Sequence, residues 1–510
     1  MKTLRLILGD QLNAKHSWFE TVRDDVIYCM FEMRQETDYV VHHIQKVVGF
    51  FAAMRDFSNR LKNNGHQVKY LNITDPENCH DLEQNIKQIL ENNSIVRFEY
   101  QAPDEYRLET QLRTICDSIH VDSSCFDTEH FYTSREELSV FFEGKKQLLM
   151  ERFYRYMRKK HDVLMLGDQP IGGVWNYDQS NRKKWKGTPS IPPHLEFPNN
   201  VNGIKNDLDT AQIKTIGRFE KNHFDYPINI IQAKEQLDYF CKELLPHFGD
   251  FQDALHTDQV FLFHSRLSFA MNLKIISPKE VVDTALNYYG SNSDIIDISQ
   301  IEGFVRQIIG WREYMRGMYW KEMPSYLDLN SLNNHGKIPD FFWTGNTKMN
   351  CLKQTITNSL DNAYAHHIQR LMITGNYLLL TQTHPDAVDQ WYLGIYLDAV
   401  QWVQLPNTRG MSQYADGGKI ATKPYVSSGS YINKMSNYCG SCQYNVKLRL
   451  GENACPFNSL YWSFLDDKKP LLFNNQRMRM MYSVLNKFSA NELHDMKLRS
   501  AEIIENPDHF

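Results

Sequence analysis

Long hydrophobic runs are missing from this sequence. No segment reaches the roughly 20 apolar residues of a membrane span, and the opening "MKTLRLILGDQL" turns polar too early for the apolar core of a secretory signal. A soluble cytoplasmic chain that makes no membrane contact is therefore expected. The G-x-G-x-x-G turn that cradles a dinucleotide phosphate is also missing, which speaks against an ordinary nicotinamide site. There is no fixed-period repeat and no low-complexity tract, which excludes solenoids and propellers. Nor is there an excess of positive charge. The formal net charge of −5 argues against coating a polyanion along the whole surface, yet the basic runs "RFYRYMRKK" (152–160) and "RKKWK" (182–186) leave local phosphate contacts open. Cysteine is sparse and odd in number, nine in 510 residues. In a reducing compartment that pattern argues against a disulfide framework and for thiols gathered on a metal or buried singly.

What is present divides into three stretches. Residues 1–135 alternate β-rich runs, "TLRLILG", "DVIYCMF", "QVKYLNI", "SIVRFEY" and "IHVDSSCF", with helical stretches at about 38–64 and 81–92. Such alternation predicts βαβ units and a parallel, Rossmann-like sheet, with Gly9 and Asp10 at the carboxyl end of the first strand, where open parallel sheets bind ligands. Between 136 and 235 the periodicity fades and Pro and Gly collect, which predicts a long connector carrying Trp175, Asp178, Arg182 and Trp185. From 236 to 510 nearly every segment repeats at helical period, so an all-α domain follows.

Three of the nine cysteines stand in "NYCGSCQYNVKLRLGENACPF": Cys439 and Cys442 form a C-x-x-C knuckle, and Cys455 follows after twelve residues. Two thiolates in one tight turn reach a common centre without strain. A tetrahedral site needs a fourth ligand, and Cys351 in "TKMNCLKQ" is the candidate in the same helical domain. Spacing leaves zinc and an iron–sulfur cluster both open; the Cys–Pro step at 455–456 tilts towards iron. In "YAHHIQRLMITGN", His366 and His367 precede Arg370 by four and three residues, so imidazole and guanidinium are expected on one helix face, able to supply a proton. Aromatic stripes around Trp311 and Trp391, each with a polar residue inside, suit a pocket for a planar ligand.

The segments "HSRLSFAMN" (264–272), "EGFVRQIIGWREYMRG" (302–317) and "NAYAHHIQRLMITGN" (362–376), together with the four cysteines, resemble the photolyase/cryptochrome superfamily. More narrowly they resemble its iron–sulfur bacterial branch, the prokaryotic (6-4) photolyases and related cryptochromes. The resemblance runs from "LILGDQL" to Cys455. It implies a light-driven lyase that uses FAD to repair (6-4) lesions in UV-damaged DNA, working as a monomer. It implies Ser265, Leu267, Ser268, Glu302, Gln307, Arg312, Asn376, Asp398 and Gln404 around the FAD. His366, His367, Arg370, Tyr425 and Tyr431 would face the lesion, and Trp391, Tyr392 and Trp343 would relay electrons. Cys351, Cys439, Cys442 and Cys455 would hold a [4Fe–4S] cluster. Asp10 and Glu36 would contact a 6,7-dimethyl-8-ribityllumazine antenna, Asp178 and Asp253 would hold magnesium, and Trp175 and Arg182 would touch DNA. Gln404 stands where the branch often has Glu, which leaves open a photosensory cryptochrome without repair. A zinc-stabilised nucleic-acid-binding protein is the alternative from outside the family.

Overall fold

A computed structural model describes residues 2–92 and 94–510. The five β-rich runs become five strands: β1 Lys2–Leu6, β2 Val26–Phe31, β3 Gln67–Leu71, β4 Ile95–Gln101 and β5 Asp122–Phe126. They pair in parallel in the order β3-β2-β1-β4-β5. All six residues of β2 are buried, as expected of a strand covered on both faces, whereas all five of β5 are exposed at the sheet edge. Strand order reverses between β1 and β4, and this switch point opens a crevice at their carboxyl ends.

The helical stretch expected at 38–64 begins later, at Ile44, and runs to Asn63. His43 is the reason: its Nδ1 accepts the Gln45 backbone N–H and caps the helix, in extended backbone conformation. The same residue docks this helix on the all-α region, since the His43 N–H donates to Gly394 O and its Nε2 lies 2.9 Å from Leu360 O. Lys46 Nζ adds a bond of 2.7 Å to Leu393 O.

Within the connector, helix Met150–Lys160 folds back around Trp175. Arg158, buried, donates to the carbonyls of Val163, Leu164 and Trp175 and lies 5.4 Å from the Trp175 ring centre. The basic run at 152–160 thus spends part of its charge inside the protein. Beyond the connector the chain is helical, and none of its described helices is long and apolar enough to cross a membrane. Four π-helical turns interrupt it among the described residues, Phe240–Leu244, Arg306–Arg312, Arg370–Gly375 and Pro406–Ser412. Such turns widen a helix locally and often accompany functional sites.

Candidate functional site

Three groups of predicted residues gather in space. The first surrounds Arg370. Its Nη2 lies 2.9 Å from Asp398 Oδ1, its Nε donates to Ala365 O, and its guanidinium stacks 3.8 Å from the Tyr396 ring centre. Asp398 is oriented from behind, since Asn272 Nδ2 donates to its carbonyl at 2.6 Å. A guanidinium–carboxylate pair among aromatic faces can grip the polar edge of a flat heterocycle.

The histidines differ from expectation in their backbone setting. The helix over 362–376 breaks at Ala363, whose φ is +50°, and restarts at His367. His366 is therefore the N-cap in extended conformation and does not share a helix face with Arg370. Gln369 closes a capping box with it: the His366 N–H donates to Gln369 Oε1 at 3.1 Å. His366 is buried and stacks on His264, ring centres 4.8 Å apart, while His367 is exposed. Although His367 reaches the surface, desolvation by the protein around its ring first, then Arg370, lowers its imidazole below the ordinary value; at His366, burial, His264 and His367 act in the same direction.

The second group lies on the exposed side. Asp178 pairs with Arg182 and, at 3.2 Å, with Arg306. Asp253 makes no ion pair among the described residues. Burial, then the Asp178 charge, lifts its carboxyl to about 6. Tyr425 and Tyr431 sit within the field of both Asp178 and Arg182. The cation that carboxylate repulsion calls for is thus supplied by guanidinium groups at Asp178 and is lacking at Asp253.

The third group is the cysteine quartet. Cys351, in the first turn of helix Asn350–Asn362, meets Cys439, Cys442 and Cys455 around one cavity of about 20 Å³, also lined by Tyr438 and Gly429. A side chain at Gly429 would place its Cβ 2.8 Å from Cys455 Sγ, so glycine keeps the cradle open. Burial, then the mutual repulsion of the thiols, raises Cys439 to about 11 and Cys455 to about 12. Four thiols, one buried and three half-buried, with no carboxylate or imidazole lining the cavity, fit a soft metal centre, whose positive charge would draw off their protons. The centre is linked to the histidines: Gln369 Nε2 donates to Tyr438 Oη at 3.1 Å, and Tyr438 precedes Cys439.

At the switch point of the sheet, Asp10 and Glu36 line a cavity of about 150 Å³, closed from the helical side by Ala399 to Trp402. Lys274 spans the boundary, 3.2 Å from Asp10 and 2.8 Å from the fully buried Asp104. Burial pushes the Lys46 ammonium in this wall down to about 7, and the Trp402 Nε1 has no partner among the described residues. Acceptors, donors and a free indole N–H around a flat space fit a planar, polar-edged ligand.

The other expected residues also have partners within the protein. Glu302 accepts from Tyr154 Oη and the Tyr177 N–H, Asn376 clasps Ser427 through both amide atoms, and Gln307 donates to Gly303 O. Arg312 holds Asn272 and the Met271 carbonyl, 4.6 Å from the Trp402 ring centre. The Ser265 carbonyl accepts from Gln236, Ser265 Oγ caps the Leu267 N–H, and Ser268 opens helix Ser268–Asn272. Gln404 is buried and bonds to Thr408. Trp343 is exposed and adjoins Phe342, which packs edge-on against the buried Trp391 at 5.0 Å; Tyr392 is 5.3 Å from Trp391. Sequence reading missed Lys274, Lys46 and Tyr438, whereas Tyr396 belongs to the aromatic stripe around Trp391. No local pattern marks a lone lysine destined for a charged boundary.

An α/β domain with a cavity at its switch point, joined to a helical domain with a buried Arg–Asp pair and a four-thiol centre, defines a chain of the photolyase/cryptochrome family, and this chain belongs to it. The family profile described as "deoxyribodipyrimidine photo-lyase-related protein" matches residues 5–224. Over the full length of both chains the sequence is 40% identical to a protein of Agrobacterium fabrum named "(6-4) photolyase". Two solved structures share the fold at 12% identity and a TM-score of 0.55 each. One is a bacterial class III photolyase from Agrobacterium tumefaciens, covering 96% of this chain and 98% of its own. The other is a Synechocystis cryptochrome, covering 97% and 93%.

Proposed function

We propose that this chain is a light-driven DNA lyase that reverses (6-4) pyrimidine–pyrimidone lesions. The observation that carries the reading is an exposed His367 beside the Arg370–Asp398 pair, in a chain 40% identical end to end to a protein named (6-4) photolyase. FAD, when bound in its reduced form, supplies the electron that blue light releases. Arg370, Asp398 and Gln404 would hold its flavin end, with Ser265, Leu267, Ser268, Gln307 and Asn376 further round it. Glu302 and Arg312 would act from behind by fixing the connector and Asn272.

His367 does the proton work. Its neighbour Arg370 favours the neutral imidazole in the resting protein, whereas a DNA phosphate brought close favours the imidazolium. Protonation therefore accompanies substrate arrival, and the ring N–H then delivers a proton to the oxygen returning to its original base. His366, buried behind it, fixes the start of the helix. Tyr425 and Tyr431 offer ring faces to bases turned out of the stack, where the reacting atoms become accessible. Trp175 and Arg182 would meet the DNA backbone, and Asp253, with Asp178, would take magnesium. Trp343, Trp391 and Tyr392 form a file from surface to interior suited to stepwise electron passage. The thiol quartet suits a [4Fe–4S] cluster, and the switch-point cavity suits a ribityllumazine antenna. The division at 135 and 235 into antenna domain, connector and catalytic domain belongs to the same reading.

The test is chromatography of an oligonucleotide carrying one (6-4) lesion, incubated with reduced protein and magnesium, with and without blue light. Wild type should restore the intact dithymine only in light. His367→Ala should lower the yield about a hundredfold or more at unchanged flavin content and lesion binding. If flavin- and iron-loaded wild type restores nothing, a photosensory role is favoured, and the neutral amide of Gln404 becomes the residue to change first.

A further inference from the structure

The connector contains two His-x-acid steps, His194-Leu195-Glu196 and His223-Phe224-Asp225. Residues two apart on an extended chain point to the same side, so each step sets an imidazole beside a carboxylate. Antiparallel pairing of Asn199–Asn200 with His223–Phe224 brings the two steps together. Arg266, 5% exposed, fixes their spacing: Nη1 donates to Leu195 O at 2.8 Å and Nη2 to Asp225 O at 3.3 Å. Its guanidinium is itself held by the rings of Tyr226 and Phe261, at 4.2 and 4.4 Å. The frame is therefore tied at both segments, although the side chains it carries reach the surface.

Those side chains converge. His194 Nε2 is 3.0 Å from Glu196 Oε1, and His223 Nε2 is 2.9 Å from Asp225 Oδ1 and 4.0 Å from Glu196 Oε2. One ligand atom from each of His194, Glu196 and Asp225 lies within 4.8 Å of the others; His223 stands outside that set and would join it by a side-chain rotation from its present contact with Asp225. Tetrahedral ligands at zinc, about 2.0–2.2 Å from the ion, stand roughly 3.4 Å apart, within the range of these separations. A cation already occupies the middle: Lys221 Nζ is 2.5 Å from Asp225 Oδ2 and 3.2 Å from Glu196 Oε1. One ammonium against two carboxylates leaves a net negative charge for a divalent ion to neutralise. As the side chains stand, His194 Nε2 donates to Glu196 and His223 Nε2 to Asp225, so zinc on either nitrogen would take the place of that proton.

We propose that His194, Glu196, His223 and Asp225 form a zinc site that clamps the connector to the segment beginning at Arg266, with Lys221 as the internal cation that zinc displaces. Two nitrogens and two oxygens suit a borderline ion better than magnesium or a thiophilic metal. The site is separate from the cysteine quartet and does not depend on the lyase reading.

The experiment is calorimetric titration of zinc into chelator-treated holoprotein, with iron and flavin measured on the same samples so that replacement of iron is recognised. Wild type should take up one zinc per chain at constant iron. His223→Ala should weaken uptake about tenfold or more, as loss of a ligand does. Lys221→Ala should strengthen it several-fold, because the competing ammonium is gone; a simple cluster of ion pairs has no reason to behave so. No uptake by wild type at constant iron, or equal uptake by wild type, His194→Ala and His223→Ala, would overturn the proposal. Should His223→Ala not fold, anomalous scattering at the zinc edge from wild-type crystals decides: a peak between the two Nε2 atoms supports the site, and its absence overturns it.

Discussion

Around the switch point of the sheet the cavity is lined by the charged groups Asp10, Glu36, Lys46 and Asp104, and Lys274 behind them pairs with Asp10 and Asp104 across the boundary between sheet and helices. Around the cysteines the cavity walls are neutral, apolar side chains and thiols raised by burial. The first region carries its own compensating charge, and its ion pairs join two parts of the chain. The second has no internal cation and requires one from outside before its thiols can ionise. One region should therefore be damaged in proportion to the charges removed, the other all at once.

The largest effect is expected at the thiols. Cys439→Ala would leave the proposed cluster three ligands, and soluble, iron-loaded protein should fall to background in iron analysis and size-exclusion chromatography. If the variant proves stable and flavin-loaded, the cavity does not depend on its metal and the contrast between the two regions disappears.

At the charged boundary the loss should be finite. Lys274→Met strands two carboxylates, and removing one partner of a buried pair costs about 3–5 kcal/mol. Denaturant unfolding should show that drop, and Asp104→Asn added to Lys274→Met should recover part of it, because the neutral amide needs no counter-charge. At Asp104 burial alone would raise the carboxyl, but Lys274 and Arg316 outweigh it and hold it lower. The stability it contributes is present above its unfolded value and disappears as pH falls through the folded one. The Lys274 variant should therefore lose most at neutral pH and least in acid.

The same contrast explains what could be read from sequence. All five strands were visible because period, length and turn residues are local properties, and the C-x-x-C knuckle was visible because its ligands are two residues apart. Lys274 was not, because its partners are Asp10 and Asp104, far back in the chain. The histidine helix was misread at its start: the pattern continues through Ala363, and only tertiary packing selects the left-handed turn that makes His366 a cap. Glu302 accepts from Tyr154 and Tyr177 of the connector, contacts that helical period cannot indicate. The paired His-x-acid steps were legible in principle, as two short identical patterns on extended segments.

The smallest effect concerns Asp253, which belongs to neither extreme: a carboxylate in a partly charged neighbourhood that lacks an ion pair of its own. Its folded value of about 6 exceeds the ordinary carboxylate value. The fold therefore favours the protonated form: the stabilising contribution is complete below the unfolded value and is lost as pH rises through about 6. A divalent ion reverses that preference by binding only the ionised form. Manganese, used as a paramagnetic probe for the proposed magnesium, should bind with constant affinity above pH 7 and lose about tenfold per pH unit well below 6, because each ion then displaces one proton. Asp253→Asn should abolish the binding and, without the ion, make the protein slightly more stable above pH 6, since an uncompensated charge has been removed. Burial raises the Tyr431 hydroxyl, so that ring stays neutral throughout this range and does not contribute to the profile. A profile flat from pH 5 to 8 would place the ion on Asp178 alone and remove Asp253 from the site.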